Sequence, residues 1–191
     1  MKRIFLWFYC LPIPSAVLLI VMVTVAFLCL RLKFSKTWQW KLAVPLLFLC
    51  SIAVILFGTL GQRMTGETAA EPILIPFHSY YLALTGGNVE IYRTNFMNVV
   101  LFYPAGLLGC ALLPQRWHPI VKALLLITLL LPLSIWIEYT QYHHGLGLAE
   151  TDDVIHNTLG TLLGTLACHT LTPKIKSLLQ LLIYPTHSIE E

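Results

Sequence analysis

Long stretches almost free of charge alternate along this chain with short polar clusters, and the spacing of the clusters predicts the elements. Apolar runs cover Ile4 to Leu30, Leu42 to Leu60, Phe96 to the residue before Pro114, Pro119 to Ile137, and Val154 to Leu171, where Thr172-Pro173 closes the last. A bilayer's hydrocarbon core takes about 20 helical residues, so the runs predict about five transmembrane spans. The alternating pattern of barrel strands is absent. The fold class is therefore all-α, a polytopic transmembrane helical bundle. The first run is longer than the roughly 7–15 residues of a signal-peptide core and shows no small-residue cleavage site. It reads as an uncleaved anchor whose first turns, before Pro12 and Pro14, lie near the interface.

Residues 61–95 form the longest connection. Within it ILIPFHSYYLAL (73–84) is too short to span and too apolar to float freely. It fits either an interfacial or re-entrant segment or a loop packed on top of the bundle. Phe77, Tyr80 and Tyr81 suit headgroup depth, and Thr85-Gly86-Gly87-Asn88 has the chemistry of a turn. After the last span, Ile175, Leu178, Leu179, Leu182 and Ile183 recur at helical spacing behind Lys174 and Lys176, which predicts a short surface helix. Three regions follow: 1–41, an additional span with a basic loop; 42–172, the main transmembrane domain; and 173–191, an amphipathic cytoplasmic tail. Pro104 and Pro132 free the carbonyls of Val100 and Thr128 one turn earlier and predict kinks. Gly160 with Gly164, and Ala105 with Gly109, are small pairs that permit close helix packing within the chain.

Composition agrees with the pattern. Only 11% of the residues are charged, against about 25% in soluble domains, too few to cover a water-exposed globule. Cys10, Cys29, Cys50, Cys110 and Cys168 all lie in apolar runs, which points to small buried packing residues rather than disulfides. The net charge of +3 is dispersed among loops and argues against a nucleic-acid partner. Positive charge in short loops faces the cytoplasm. Placing Arg31, Lys33, Lys36 and Lys41 inside, with Trp38 and Trp40 as an interfacial belt, also places Arg116, Lys122, Lys174 and Lys176 inside. Lys2 and Arg3 pull the other way and are outnumbered, so the orientation is N-out, C-in. Glu67, Glu71, Glu90, Glu138, Glu150, Asp152 and Asp153 then face outward.

That orientation gathers polar side chains at one depth. Asn95 and Asn98 stand where the third span begins, Glu138 and Gln141 where the fourth ends, and Asp152 to Asn157 where the fifth begins. Ser134, Glu138 and Gln141 share neighbouring faces of one helix, as do Asp153 with Asn157 and Asp152 with His156. Acids at a helix N-terminus gain about 0.3–1 kcal/mol each from the macrodipole, and Thr151 is placed to cap. Capping accounts for Asp152 as well as a site does, but it leaves Asn157 unexplained. Glu138 falls at a helix C-terminus, where the macrodipole disfavours an anion, and is the strongest candidate. His143, His144 and His156 are ligand types for a divalent cation. No spacing here matches a metal motif such as HExxH, and no cofactor is expected. Ser134 lacks the context of a nucleophile elbow. Glu138 and Asp153 are thus the candidates for charge or proton transfer, with Asn98, Gln141, Asp152 and Asn157 as binding residues.

These segments also resemble a known family. NVVLFYPAGLL (98–108), SIWIEYTQ (134–141) and DDVIHNTLGTLLG (152–164) look like the VanZ-like family of bacterial membrane proteins, and LIPFHSYY (74–81) resembles its Ile-Pro-Phe segment. The likeness covers roughly residues 42 to 168. It carries over the pattern at Asn98, Pro104, Gly106, Glu138, Gln141, Asp153, Asn157 and Gly160. It implies the bacterial cell membrane and a role in resistance to teicoplanin-type glycopeptides or a related envelope task; no catalytic residue comes with it. The family usually has an arginine shortly before the paired acids, where this chain reads GLGLAETDD. Arg93 is the candidate for the missing charge, with His143 or His144 as alternatives.

Two readings of function remain. One is an outer-leaflet site that binds or modifies a lipid-linked cell-wall precursor or a lipid headgroup. The other is a non-enzymatic scaffold or accessory protein whose polar cluster only holds the helices together. Transport would need charged groups along a path through the bilayer, and only the outer end is so furnished.

Overall fold

A computed structural model describes residues 11–60, 71–87 and 90–183. Its described residues form six helices: α1 Ile13–Phe34, α2 Trp38–Leu60, α3 His78–Gly86, α4 Glu90–Leu112, α5 Pro119–His143 and α6 Thr151–Ile183. No strand occurs among these residues beyond an isolated bridge. The turns expected before Pro12, and the loop acids and bases around Arg63 and Glu67, lie outside the described residues.

Helices α1, α2, α4 and α5 are long and apolar enough to cross a membrane. The most apolar stretches of α1 and α2 have only 22% of their residues buried, whereas that of α4 has 72%. Leu18, Met22 and Val25 of α1, and Leu46 and Leu49 of α2, face out of the bundle. The central helices therefore need less hydrophobicity, because protein and not lipid surrounds them. α6 follows the same logic and is the least apolar of the long helices. It carries Thr161 and Thr165, both buried, against α4, its most extensive partner, and the buried Asn157 toward α5.

The helices run past the ends of the apolar runs. α2 starts at Trp38, where the Thr37 hydroxyl accepts from the Trp40 amide at 3.4 Å, so the basic connection shrinks to a tight turn. Arg31 and Lys33 then lie in the last turn of α1, and Arg31 is buried rather than in a loop. Trp40 packs on Phe27, with ring centroids 5.9 Å apart, instead of standing only in a belt. α5 continues to His143. Pro104 and Pro132 lie inside continuous helices, as does Pro173. A separate surface helix after Pro173 was the expectation; α6 instead carries on unbroken to Ile183, since a proline removes one amide donor without forbidding the next turn. The side-chain pattern expected at Ile175 and Leu178 lies outside the described residues. Cys110 and Cys168 are buried, but Cys29 and Cys50 are exposed on the outer face, where a small apolar thiol suits a lipid-facing surface as well as a core.

The α4–α6 crossing brings backbone against backbone. A methyl group added to Gly160 would overlap the Val99 carbonyl, one on Gly164 the Tyr103 carbonyl, and one on Gly106 the Thr161 carbonyl. The GxxxG pair therefore serves packing within the chain. Thr165 adds a hydrogen bond to the Gly106 carbonyl at 3.4 Å. Because the obstacle is backbone, Gly164→Leu is expected to cost about 3 kcal/mol or more. Its measure is a drop of several degrees in the melting temperature of detergent-solubilised protein and a loss of membrane abundance. Gly86→Ala, with open space around the added methyl, is expected to change neither.

Candidate functional site at the acidic end

The connection into α3 is tied to the start of α6. Ile73 donates to the Ala149 carbonyl at 2.9 Å, and Thr151 donates to the Ile73 carbonyl at 3.0 Å. Phe77 then takes a left-handed conformation, φ 62°, which is uncommon for a bulky residue and turns the chain into α3. No side chain of this segment caps α3. Asp152 does so from α6: its carboxylate accepts from the Phe77 amide, from the Ser79 amide at 2.8 Å, and from the Ser79 hydroxyl. Asn95 of α4 completes the group by donating to the Ser79 hydroxyl oxygen at 2.9 Å. Asp152 is only 2% exposed, yet it stands at the positive ends of both α3 and α6, which favours its charge.

His156 stands beside it. The Asp152 carbonyl can only accept, so His156 Nδ1 donates to it, and Nε2 pairs with the Tyr80 hydroxyl at 2.6 Å. Tyr80 thus turns into the bundle, while Phe77 and Tyr81 stay exposed. Residues 73–84 are partly a packed cover and partly an apolar outer surface.

The remaining acids form a second group. Glu138 is 8% exposed and accepts from the Glu150 amide at 3.2 Å. Asn98 donates to Asp153 Oδ1 at 2.7 Å, and Asn157 donates to the Ser134 hydroxyl at 2.9 Å. Contacts from α4, α5 and α6 therefore bring Asn98, Asp153, Asn157 and the Ser134–Glu138 face together. Glu138 does not stand at a helix C-terminus, however. α5 extends to His143, and the macrodipole's influence fades within the last turn; burial, not the dipole, is what makes this carboxylate demanding.

Gln141 turns elsewhere, donating to the Thr59 carbonyl at 3.2 Å and so joining α5 to the end of α2. Arg93 forms an ion pair with Glu90, one turn back on α4. His143 is exposed and stacks on Tyr139, ring centroids 5.8 Å apart. The Gln141 and Asn157 side-chain carbonyls are buried without a donor. No group of three His, Cys, Asp or Glu side chains with metal-holding disposition occurs among the described residues.

Two cavities open at this end. A cleft of about 520 Å³ is walled by Pro72, Leu74, Ile135, Tyr139 and Val154, with Glu138 and Glu150 as its acids. A more polar hollow of about 290 Å³ lies among Glu90, Thr94, Asn95, Glu150 and Asp153. Glu150 lines both. Sequence reasoning had not singled out Glu150, Ser79 or Tyr80 as site residues, and nothing local to them signals the role; their partners lie on other elements.

Apolar membrane-length helices around a buried polar cluster define a polytopic helical membrane protein. A family model described as VanZ/LLP1 matches residues 15–172, and the chain belongs to that family. The match begins inside α1, whereas the likeness read from the sequence reaches back only to about residue 42. No curated protein and no solved structure matches the chain.

Asp152→Ala would strand the donors that hold α3, at about 1–3 kcal/mol for each buried group left unpaired. Local loosening of α3 is expected before global unfolding. The readout is a cysteine at Ala83, buried at 5% exposure: it should resist maleimide in the parent protein and react in the Asp152→Ala background. Equal labelling in both would show that Asp152 does not anchor α3.

Proposed function

We propose that this protein lies in the bacterial cell membrane with its acidic end outward, and there binds a lipid-linked component of the cell envelope. Its service to the cell is resistance to teicoplanin-type glycopeptides or upkeep of the envelope. The observation that carries the reading is the cleft of about 520 Å³, apolar along its walls and furnished with Glu138 and Glu150. Such a cleft matches an amphiphile: a hydrocarbon chain against Leu74, Ile135 and Val154, and a polar group among the acids. Carboxylates repel a bare phosphate and favour hydrogen-bond donors, so the bound headgroup presents ammonium, amide or hydroxyl groups. Asp153, held by Asn98 at 2.7 Å, contributes from the adjoining hollow. Membership of the VanZ/LLP1 family supports the envelope setting.

The rival reading, that the cluster only holds helices together, is favoured by the Asn157–Ser134 and Asn98–Asp153 hydrogen bonds. Glu138→Gln separates the two. It keeps size and one acceptor oxygen, so abundance and melting temperature should stay near those of the parent. Loss of a charged hydrogen bond, about 1.5–3 kcal/mol, should lower retention of the co-purifying amphiphile about tenfold or more, as read by mass spectrometry, and should abolish the resistance phenotype. Full retention and full resistance would leave helix packing as the cluster's role.

Orientation is checked with single cysteines at Tyr142 and Lys36, which are both exposed at opposite ends of the bundle. On intact cells a membrane-impermeant thiol reagent should label the former alone.

A further inference from the structure

The opposite end of the bundle, where α1 ends and α5 begins, contains a different chemistry. Arg31 and Lys122 are 5% and 3% exposed. Both line a pocket of about 190 Å³ together with Gln115, Cys168, His169 and Thr172. A water needs only about 10–15 Å³ of such space, so the pocket admits a small polyatomic ion. No carboxylate among the described residues lines it. Among the described residues the only hydrogen bond of the Arg31 guanidinium goes to the Cys168 sulfur, at 2.9 Å, a weak acceptor for a group with five donors. Its other close partner is the Phe27 ring, 5.6 Å from the guanidinium carbon. The Lys122 ammonium has no hydrogen bond or ion pair with any described residue, its backbone amide alone donating, to the His118 carbonyl at 3.2 Å.

Among the described residues no carboxylate balances these two cations. A buried charge normally has an opposite charge or a full set of hydrogen bonds. Lys122 also stands in the first turn of α5, where the macrodipole is positive and disfavours a cation. Two buried positive groups, a helix N-terminus and a hollow between them are the requirements for holding an anion.

We propose that this pocket binds a phosphate group, with Arg31 supplying paired guanidinium donors and Lys122 the compact charge. The site is separate from the acidic cleft and does not depend on what that cleft binds. Its ligand is either the headgroup of an anionic phospholipid or free phosphate, and the two sources share the recognition chemistry.

The test uses the full-length protein in a neutral detergent. One arm titrates inorganic phosphate against chloride at constant ionic strength and reads the melting temperature. The other reads retention of phosphatidate by native mass spectrometry, with phosphatidylcholine as competitor. Saturable stabilisation by inorganic phosphate assigns the site to the free ion. Retention of phosphatidate without an effect of phosphate assigns it to a lipid headgroup. In either case Lys122→Met should weaken binding about 30-fold or more, and Lys122→Arg should largely preserve it. Without ligand, Lys122→Met should melt no lower than the parent, because it removes an uncompensated buried charge. Gln115→Glu, at an exposed edge of the pocket, brings a built-in counter-charge; it should likewise weaken binding, and it serves if the lysine variant does not fold. Glu138→Gln should leave phosphate binding unchanged, which keeps this outcome distinct from that at the acidic end. No binding by the parent, or equal binding by the parent, Lys122→Met and Gln115→Glu, would overturn the proposal.

Discussion

Because Gly160 and Gly164 put no side chain between α6 and α4, the carbonyls of Val99 and Tyr103 lie directly against the α6 backbone. That approach fixes the register of the two helices along their contact. Asn98 is one residue from Val99, and Asn157 is three from Gly160, so the register that seats the glycines also seats Asn98 on Asp153 and brings Asn157 within reach of Ser134. A side chain at either glycine would push the helices apart and draw those hydrogen bonds out of range. The polar cluster is thus a consequence of backbone packing, and its geometry is no more adjustable than the crossing itself.

A short helix depends on the same crossing. α3 has nine residues, too few for stability in isolation. Its formation relies on a carboxylate from α6 that replaces the local cap, on the Asn95–Ser79 hydrogen bond, and on the His156–Tyr80 pair. The pairing of Ile73 with residues 149–151 extends this cover to the cleft, since Pro72 and Leu74 form part of its wall. Asp152 therefore shapes the site by holding its roof, while Glu138, Glu150 and Asp153 line it.

The two ends of the bundle carry opposite charge: Glu138, Glu150 and Asp153 at one, Arg31 and Lys122 at the other. Carboxylates with an apolar cleft suit a donor-rich amphiphile, and buried cations around a small hollow suit an anion. Between them lie hydrophobic clusters around Phe102, Ile55 and Leu107, with the buried hydroxyls of Thr161 and Thr165 along α6.

Hydropathy alone was enough to establish an all-helical membrane chain, because lipid offers no hydrogen-bond partners and demands uninterrupted apolar helices. The small pair Gly160 and Gly164 was legible as a place of close approach, and the coincidence of Asn98, Glu138, Asp153 and Asn157 at one depth was legible from where the apolar runs stop. Helix ends were read less well, as α2, α4 and α5 reach beyond the runs through capping and packing that hydropathy does not encode. Tertiary structure decided which carboxylate anchors and which lines a cavity: the amides that hold Asp152 belong to Phe77 and Ser79, more than seventy residues away. It also decided that Arg31, which read as a loop charge, and Lys122, at the start of the fourth apolar run, are buried around one pocket. A sequence displays the chemistry of each side chain, but burial and partnership arise only when distant helices share a boundary.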